Sequence, residues 1–357
     1  MSLLDSKESI QWYQKKGECE DVITSTRCRL ARNLIDFPFP EVARHDEKER
    51  VQSIVFDAIS KLDNPYHFIR TNTLLELNKK AFAERGIDSS GTGLAFHSNN
   101  ENIFQINTAD HVRIICLEPG LNFQIAVKNS YDLDNSIQNS LQFAASPDFG
   151  YFTSSFKDIG SGMKLSFFAH LPSILFSGES ENVFQWIREK GLSVSAVYGT
   201  GGWWDSSLGA YYEISTISSR DGNEFDQRVN IESAAKYLIE AERKFRDKCA
   251  DNRTTEVENV VLKAIAGVKF CTLLNVRESI DIISALKWGI DMEMMSGLEH
   301  STLRTLLYHM QDAHIEFLLR DCSYKFEHDI KNDMQLKKNR LRALLLQSAC
   351  TKIHFGE

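Results

Sequence analysis

The pattern of apolar and polar positions changes character along the chain. Within residues 47–62, apolar side chains recur every three or four positions, which predicts an amphipathic surface helix. Later apolar runs are short and rich in aromatic and β-branched residues, which is typical of strands. They cover residues 102–107, 112–117, 163–171, 192–198 and 208–215. The short link at 108–111 favours an antiparallel pairing of the first two runs.

Beyond residue 230 the helical period dominates. Periodic stretches at 231–250, 256–271, 278–292, 301–319 and 329–347 are separated by short polar or glycine-containing breaks, which predict antiparallel helices. We therefore expect an α+β fold: an antiparallel sheet flanked by helices in domain 1–252, followed by an all-α helical bundle domain in 253–357. The boundary is placed at Asn252-Arg253-Thr254-Thr255.

Composition excludes several function classes. The formal net charge of −8 over 357 residues, without a long basic stripe, argues against nucleic-acid binding. The seven cysteines lack zinc-site spacing and predict reduced thiols. We find neither a signal peptide nor an apolar run of the roughly 18 residues that a membrane span needs. These observations predict a cytoplasmic protein that binds no membrane.

The run Ser-Thr-Arg-Cys-Arg-Leu-Ala-Arg-Asn at residues 25–33 is the strongest candidate for chemistry. If it is extended, Arg27 and Arg29 project to the same face. Two planar guanidinium groups on one face can bind a polyanion with paired hydrogen bonds. On charge alone, a solvated arginine face remains an alternative to a phosphate clamp.

Further blocks follow this run in a specific order. They are DFPFP at 36–40, INTADHVRI at 106–114, GYFTSSFKDIGSGMKLS at 150–166 and HLP at 170–172. Together with the arginine run, they resemble the phosphagen (guanidino) kinase family over most of residues 20–225. The layout is similar to the bacterial protein-arginine kinases, because the helical unit follows the arginine pair and does not precede it.

The resemblance implies a reaction and its partners. The reaction is transfer of the γ-phosphoryl group of Mg-ATP to a guanidinium nitrogen, with arginines neutralising the phosphates and carboxylates orienting the acceptor. The implied cofactor is ATP or ADP with Mg²⁺. The implied partners are a zinc-containing activator protein and Clp-type protease machinery, and the helical unit is expected to form a homodimer.

Residue by residue, the resemblance places two halves of a site on this chain. On the phosphate side it points to Arg27, Arg29 and Arg113, whereas Lys164 and Ser195 stand where the family has two further arginines. Lysine keeps the charge but loses the bidentate fork, and serine has no charge. Nucleotide binding is therefore expected at reduced strength.

The acceptor side differs more from the family pattern. Thr108 and Ala109 replace two glutamates, one of which would act as base, and Thr200 replaces a third carboxylate. Ser155 replaces the reactive cysteine, and Phe156 replaces the proline that follows it. A general base contributes about 10²–10⁴-fold to a rate, so loss of even one such group removes most turnover.

These replacements predict a pseudokinase that acts as a binding or regulatory protein in a stress or protein quality-control system. The competing hypothesis is an active kinase with a rewired acceptor side, in which Asp110 or another carboxylate serves as the base and arginine or another residue accepts the phosphoryl group. A third is a scaffold that binds no nucleotide.

Other features have an ordinary structural interpretation beside a functional one. Gly160-Ser161-Gly162 is typical of a turn, and Trp203-Trp204 would mark a partner site if it is exposed. The basic residues of the last predicted helix indicate a solvated face, with docking of an acidic partner as the alternative. Three histidines on one predicted helix are interpreted as structural. The basic residues are Lys331, Lys337, Lys338, Arg340 and Arg342, and the histidines are His300, His309 and His314.

Overall fold

The structure is a computed structural model that describes residues 10–200, 207–219 and 223–356. The pair Trp203-Trp204 lies outside these ranges, so its predicted role as a partner site stays a prediction.

An antiparallel sheet forms the centre of the protein. In the described ranges it has eight strands, in the order β2-β3-β4-β5-β1-β8-β10-β9, and each neighbouring pair runs antiparallel. The short pairs β6-β7 and β11-β12 lie outside it. The strands are β1 (Ile23–Arg32), β2 (Tyr66–Arg70), β3 (Gly93–His97), β4 (Asn102–Ile106), β5 (Val112–Pro119), β6 (Ala145–Ser146), β7 (Gly150–Tyr151), β8 (Met163–His170), β9 (Leu192–Ala196), β10 (Tyr211–Thr216), β11 (Met295–Ser296) and β12 (His354–Phe355).

Helices flank this sheet and make up the last third of the chain. Along the chain, the helices that begin before residue 250 are interspersed with the strands, and the later helices largely follow one another. The helices are α1 (His45–Ser60), α2 (Glu76–Glu84), α3 (Phe123–Gln138), α4 (Pro172–Phe176), α5 (Ser180–Glu189), α6 (Glu224–Asn252), α7 (Thr254–Phe270), α8 (Val276–Asp291), α9 (His300–His309), α10 (Asp312–Asp321) and α11 (Met334–Ala349). The predicted α+β class with an antiparallel sheet is confirmed.

Each of the five predicted strands is present, and the pairing of 102–107 with 112–117 is antiparallel as expected. The strands β2 and β3 were not predicted. The side chains of β2 are mostly exposed, so its sequence shows no buried alternation.

Two helix predictions are wrong in their bounds. The stretch 301–319 contains α9 and α10, because the backbone at Gln311 is extended, with φ −65° and ψ 151°. The stretch 329–347 becomes helical only at Met334, where the side chain of Asp333 accepts a hydrogen bond from the backbone N–H of Leu336.

The basic face predicted for the last helix is also wrong in part. Arg342 is fully buried, and Lys338 is nearly so. The Arg342 Nε donates to the carbonyl of Met310 at 2.7 Å, and its terminal nitrogen pairs with Asp312. These two cations hold helices together and are not solvated.

The described residues form three hydrophobic cores, the smallest of which packs α2 and the start of α10 against β3, β4 and β5. The largest one places α1, α3, α5 and α6 against the strands and includes Cys28 and Leu30 of β1. The second joins α7, α8, α9 and α11 and also takes in Leu208, Ala210 and Tyr211 at the start of β10. Since β1 buries Cys28 and Leu30 in the first core, its other face carries Arg27 and Arg29.

A buried arginine ties the helical region to the beginning of the chain. Arg304 on α9 is 4% exposed and donates to the carbonyls of Tyr13 and Thr24, and to Lys15, while pairing with Glu20 at 2.7 Å. These bonds satisfy backbone groups that would otherwise be buried without partners.

Within the described ranges, no helix combines the length and apolar character that crossing a membrane requires.

Candidate functional site

The strand β1 presents the predicted arginine pair on one face of the sheet. Arg29 stands directly opposite Lys164 on β8, and Arg27 stands opposite Ser166. On the other side, Arg113 of β5 faces Ala31, which shares the face of Arg27 and Arg29. Directly opposed residues in an antiparallel pair have Cβ atoms roughly 4.5–5.5 Å apart. The structure thus places the four predicted phosphate-side cations on one face.

Arg29 is already paired within the protein. Its NH2 donates to Asp158 Oδ2 at 2.6 Å, and the two side chains are 14% and 11% exposed. Its Nε is buried and makes no hydrogen bond with any described residue. Burial lowers the pKa of Arg29, while Asp158 opposes this effect. Arg29 therefore keeps its Nε donor unused beside an internal carboxylate.

Arg113 is paired as well, with Asp110 at 3.1 Å. Asp110 is fully buried and also accepts from the Asn33 amide at 3.0 Å and from the Ser154 backbone N–H at 2.8 Å. With these contacts the carboxylate orients Arg113 and anchors two loops. This geometry favours a positioning role for Asp110 over the role of substitute base.

Arg27 lines a cavity of about 650 Å³ and makes no ion pair or hydrogen bond with the residues that the structure describes. The cavity lies between the sheet, α2 and the helices α8 and α9. Phe168 and Tyr308 supply aromatic walls, and Glu213 supplies a carboxylate. Burial lowers the pKa of Arg27, and Glu213 opposes this. An unpaired guanidinium beside aromatic rings and two carboxylates, Glu213 and Glu84, suits a ligand with phosphate, ring and hydroxyl groups.

Lys164 is the second cation of this face without an ion pair among the described residues. Burial lowers its pKa and the neighbouring Arg29 lowers it further, whereas Glu213 and Asp158 act in the opposite sense. Neighbouring cations lower one another's pKa because their charges repel. A bound anion relieves this repulsion. Arg27 and Lys164 are consequently the most available anion ligands of the site.

Ser195 lies on the same face but adds no charge. Ser195 on β9 lies opposite Glu213 on β10. Glu213 lies opposite Phe168 on β8, and Phe168 lies opposite Ser25 on β1. Ser25, Phe168 and Glu213 of this row line the cavity of Arg27, and Ser195 lies at the end of the row. The structure thus brings Ser195 near the phosphate-side cluster without restoring a cation there.

The acceptor-side residues before β5 meet the loop before β8. The Ser154 hydroxyl donates to the carbonyl of Ala109, and Asp110 binds the same loop through the Ser154 backbone. Ser155 therefore lies beside the turn that holds Thr108 and Ala109. The Thr108 hydroxyl is buried and makes no hydrogen bond with the described residues. No side chain in this turn besides Asp110 carries a carboxylate.

Thr200 lies at the edge of a described range and contacts the helical region. Its carbonyl accepts from Arg277 of α8 at 2.6 Å. No described contact joins Thr200 to the turn at Thr108 and Ala109.

His111 and the glycine-containing loop have structural roles. The His111 Nδ1 accepts from the Leu34 backbone N–H at 3.0 Å, and its Nε2 lies 3.0 Å from the carbonyl of Pro38. Gly160-Ser161-Gly162 forms the turn before β8, where Arg32 donates to the Ser161 carbonyl at 2.9 Å. A Cβ on Gly162 would lie 2.5 Å from the Ala31 carbonyl oxygen, so this turn requires glycine.

The three predicted structural histidines lie on two helices, not one. His300 and His309 belong to α9, and His314 belongs to α10. His300 pairs with Asp291 at 2.7 Å, and the rings of His309 and His314 stack at 4.3 Å. The described part of the chain holds no group of three or more metal-ligating side chains.

Two residues of the site escaped sequence reasoning. Asp158 pairs with Arg29, and Glu213 lines the same cavity as Arg27. Alternation along β10 puts Glu213 on one face of the strand. Only the strand order shows that this is the face of the sheet that carries Arg27 and Arg29. Asp158 lies in a short turn outside any strand, so no periodicity indicated its direction.

Curated relatives resemble this chain over most of its length. A protein named protein-arginine kinase from Halothermothrix orenii is 29% identical over 351 residues, covering 96% of this chain and 99% of the relative. Proteins of the same name from Syntrophomonas wolfei and Clostridium novyi are 27% and 28% identical, covering 83% and 85% of this chain and 85% and 91% of the relatives.

Solved structures share the fold. The duplicated taurocyamine kinase from Schistosoma mansoni with bound transition-state analogue components matches with a TM-score of 0.56 at 18% identity. That match covers 68% of this chain and 36% of the kinase, so this chain spans about a third of its length. Lombricine kinase matches with a TM-score of 0.54 at 17% identity, covering 67% of this chain and 72% of that chain.

A family match covers more than half of the chain. Residues 40–245 fit the family described as ATP:guanido phosphotransferase, C-terminal catalytic domain. This span holds Arg113, Lys164 and the acceptor-side positions, while the arginine pair of β1 lies just before it. The family transfers phosphoryl groups between ATP and guanidino compounds. The chain belongs to the ATP:guanido phosphotransferase family.

Proposed function

We propose that this chain is a pseudokinase of the protein-arginine kinase branch, which binds a nucleotide and acts on a partner protein by binding. The observation that carries the proposal is the contrast around one face of the sheet. Arg27 and Lys164 lack ion pairs with described residues, whereas the acceptor turn carries only Thr108, Ala109 and the fully engaged Asp110.

Nucleotide binding is supported by the cavity beside Arg27. Its arginine and the neighbouring Lys164 suit phosphates, while Phe168 and Tyr308 suit a flat ring. In this proposal Glu213 would accept hydrogen bonds from the ribose hydroxyls. The bound ligand would be ATP or ADP with Mg²⁺, and the metal would rely largely on phosphate oxygens and water.

Loss of transfer is supported by the chemistry that remains at the acceptor turn. A guanidinium is protonated at neutral pH and needs a carboxylate to remove a proton as it attacks. Asp110 is buried among three donors, so accepting that proton would require it to release Arg113 or the Ser154 loop.

Titration calorimetry with Mg-ADP tests the nucleotide half of the proposal. We expect measurable binding by the wild type and an affinity about tenfold to a hundredfold lower for Arg27→Ala, since one charge-assisted hydrogen bond contributes about 1.5–3 kcal/mol. The matched control is Arg188→Ala, which removes an exposed arginine of α5 that pairs with Glu181. No binding by the wild type would favour the nucleotide-free scaffold.

A transfer assay tests the other half. With radiolabelled ATP and an arginine-rich acceptor protein, with and without a zinc-containing activator of this branch, we expect no sustained acid-labile phosphorylation. Sustained labelling of arginine would establish the active-kinase alternative.

The resemblance to protein-arginine kinases also suggests partners and assembly. We propose that the protein is cytoplasmic, that residues 253–357 form a domain that supports a homodimer, and that the chain works with a zinc-containing activator or with Clp-type protease machinery. Analytical ultracentrifugation of the full chain tests the dimer.

A further inference from the structure

A groove lined by phenylalanines lies beside the acceptor loop, apart from the cavity of Arg27. It has a volume of about 940 Å³ and runs between the loop before β8 and the first turn of α6. Its apolar wall consists of four phenylalanines and one isoleucine, namely Phe149, Phe152, Phe156, Phe225 and Ile159. We call it the phenylalanine groove.

These side chains are exposed to solvent. Phe149, Phe156 and Phe225 are 64%, 70% and 64% exposed, and Phe152 is 36% exposed. Single exposed apolar residues are common on protein surfaces, but several aromatic rings around one concave groove are typical of an interaction site.

The backbone that carries the rings is held in place. The Tyr151 N–H donates to the Gly160 carbonyl at 2.7 Å, and the Phe152 N–H donates to the Ala144 carbonyl at 2.9 Å. The Ser219 N–H donates to the Lys157 carbonyl at 2.8 Å, which joins the loop to the other wall. A groove with a fixed backbone loses little entropy when it binds a partner.

The rim of the groove is acidic. Asp148 and Glu224 line it and are exposed, and none of the described lining residues is a lysine or an arginine. The one described cation beside a ring of the groove is Arg228, which lies 5.7 Å from the centre of the Phe225 ring and pairs with Glu232. An apolar floor with carboxylates at its rim is complementary to a bulky apolar side chain with cations on either side.

The groove also continues into the acceptor loop. Phe156 directly follows Ser155 and begins the turn whose Asp158 pairs with Arg29. A segment seated on the phenylalanine groove would therefore lie next to Ser155 and the turn at Ala109, which the resemblance assigns to the acceptor side.

We propose that the phenylalanine groove binds a segment of a partner protein in which a leucine or aromatic residue is flanked by lysines or arginines. The proposal rests on the proposed binding function and states the chemistry of the partner. It uses a different cavity from the nucleotide, so the two can fail separately.

Fluorescence anisotropy with three labelled peptides tests the groove. The first carries a leucine between lysine pairs, the second replaces the lysines by glutamates, and the third replaces the leucine by serine. We expect the wild type to bind the first most tightly. The Phe156→Ser/Phe225→Ser double variant should bind it at least about tenfold more weakly, as for other aromatic hot spots.

Phe270→Ser is the matched control, because Phe270 is 79% exposed on α7 and lies outside the groove. It should bind the first peptide like the wild type. Asp148→Lys/Glu224→Lys should reverse the preference between the lysine and glutamate peptides. Thermal melting of each variant confirms that the fold is kept.

Several results would overturn the proposal. Equal binding of the lysine and glutamate peptides would show that the acidic rim does not select the partner. Unchanged binding of the first peptide by Phe156→Ser/Phe225→Ser would show that the groove is not the binding site. A homodimer that dissociates only in this double variant, without peptide binding by the wild type, would assign the groove to a second copy of the chain. Mg-ADP calorimetry on the same variant should match the wild type, and a wild type that binds peptide but not Mg-ADP would overturn the pseudokinase proposal alone.

Discussion

The two faces of β1 carry arginines with different environments. On the face toward α3, Arg32 is fully buried, binds both oxygens of Asp134 at 2.7–3.1 Å and lies over the ring of Tyr151. On the opposite face, Arg27 has no such partner and Arg29 has an unused Nε. Arginines on one strand can therefore be told apart by how many of their donors the protein itself satisfies.

Removing Arg32 should give the largest effect on stability. Arg32→Ala leaves Asp134 buried without its partner, and breaking a buried ion pair in this way costs about 3–5 kcal/mol. Urea unfolding followed by circular dichroism measures the loss. Arg27→Ala removes an arginine from the other face of the strand and should reduce the free energy of unfolding much less. Equal losses for the two variants would break the distinction between the faces.

Asp110→Asn should come next, with a loss of about 1–3 kcal/mol in unfolding free energy, because the variant weakens bonds to buried donors. It should also weaken Mg-ADP binding, since Arg113 is no longer oriented. If Asp110 were a substitute base, the variant would lose turnover while stability and nucleotide affinity stayed at wild-type values.

His170 occupies a third environment on the arginine face, and the pH dependence of stability tests it. His170 is buried beneath α8, where its Nε2 lies 2.8 Å from the Ser284 hydroxyl, and burial holds its pKa well below the usual range. The unfolded chain therefore takes up a proton first as the pH falls below about 6.5. Stability should be complete above this pH and fall by up to about 1.4 kcal/mol per pH unit below it.

His170→Gln should flatten this slope, while His45→Gln, which changes an exposed histidine on α1, should leave it unchanged. Unfolding titrations at pH 7.5, 6.5 and 5.5 measure both. A slope that does not depend on residue 170 would assign the pH response to other groups, among them His111, whose pKa burial also lowers.

The smallest expected effect concerns the carboxylate beside Arg29. Asp158→Asn should tighten Mg-ADP binding by up to about tenfold, because it removes a negative charge that competes with the phosphates for Arg29. Asp148→Asn changes the net charge equally but lies on the exposed rim of the phenylalanine groove, and should leave the affinity unchanged. Weaker binding by Asp158→Asn would mean that the carboxylate orients Arg29 for the ligand.

Sequence reasoning identified the class of fold because the apolar periods of strands and helices are local. It placed Arg27 and Arg29 on one face, since alternation along a strand needs no tertiary information. It did not find Asp158 or Glu213 as their neighbours, because those contacts depend on strand order and on a turn. It also misassigned Arg342, whose burial arises only where α10 and α11 pack together.

The contacts of Arg304 have a consequence for how the chain folds. The carbonyls of Tyr13 and Thr24, just before and within the central strand, receive donors from a residue about 280–290 positions later. During synthesis the first strand emerges long before Arg304 is made. The carbonyls of Tyr13 and Thr24 therefore gain these donors only after most of the chain has been synthesised. Such distant contacts slow folding. A nascent chain interrupted before α9 would leave the carbonyls of Tyr13 and Thr24 without these donors, and its first residues would stay accessible to chaperones and proteases.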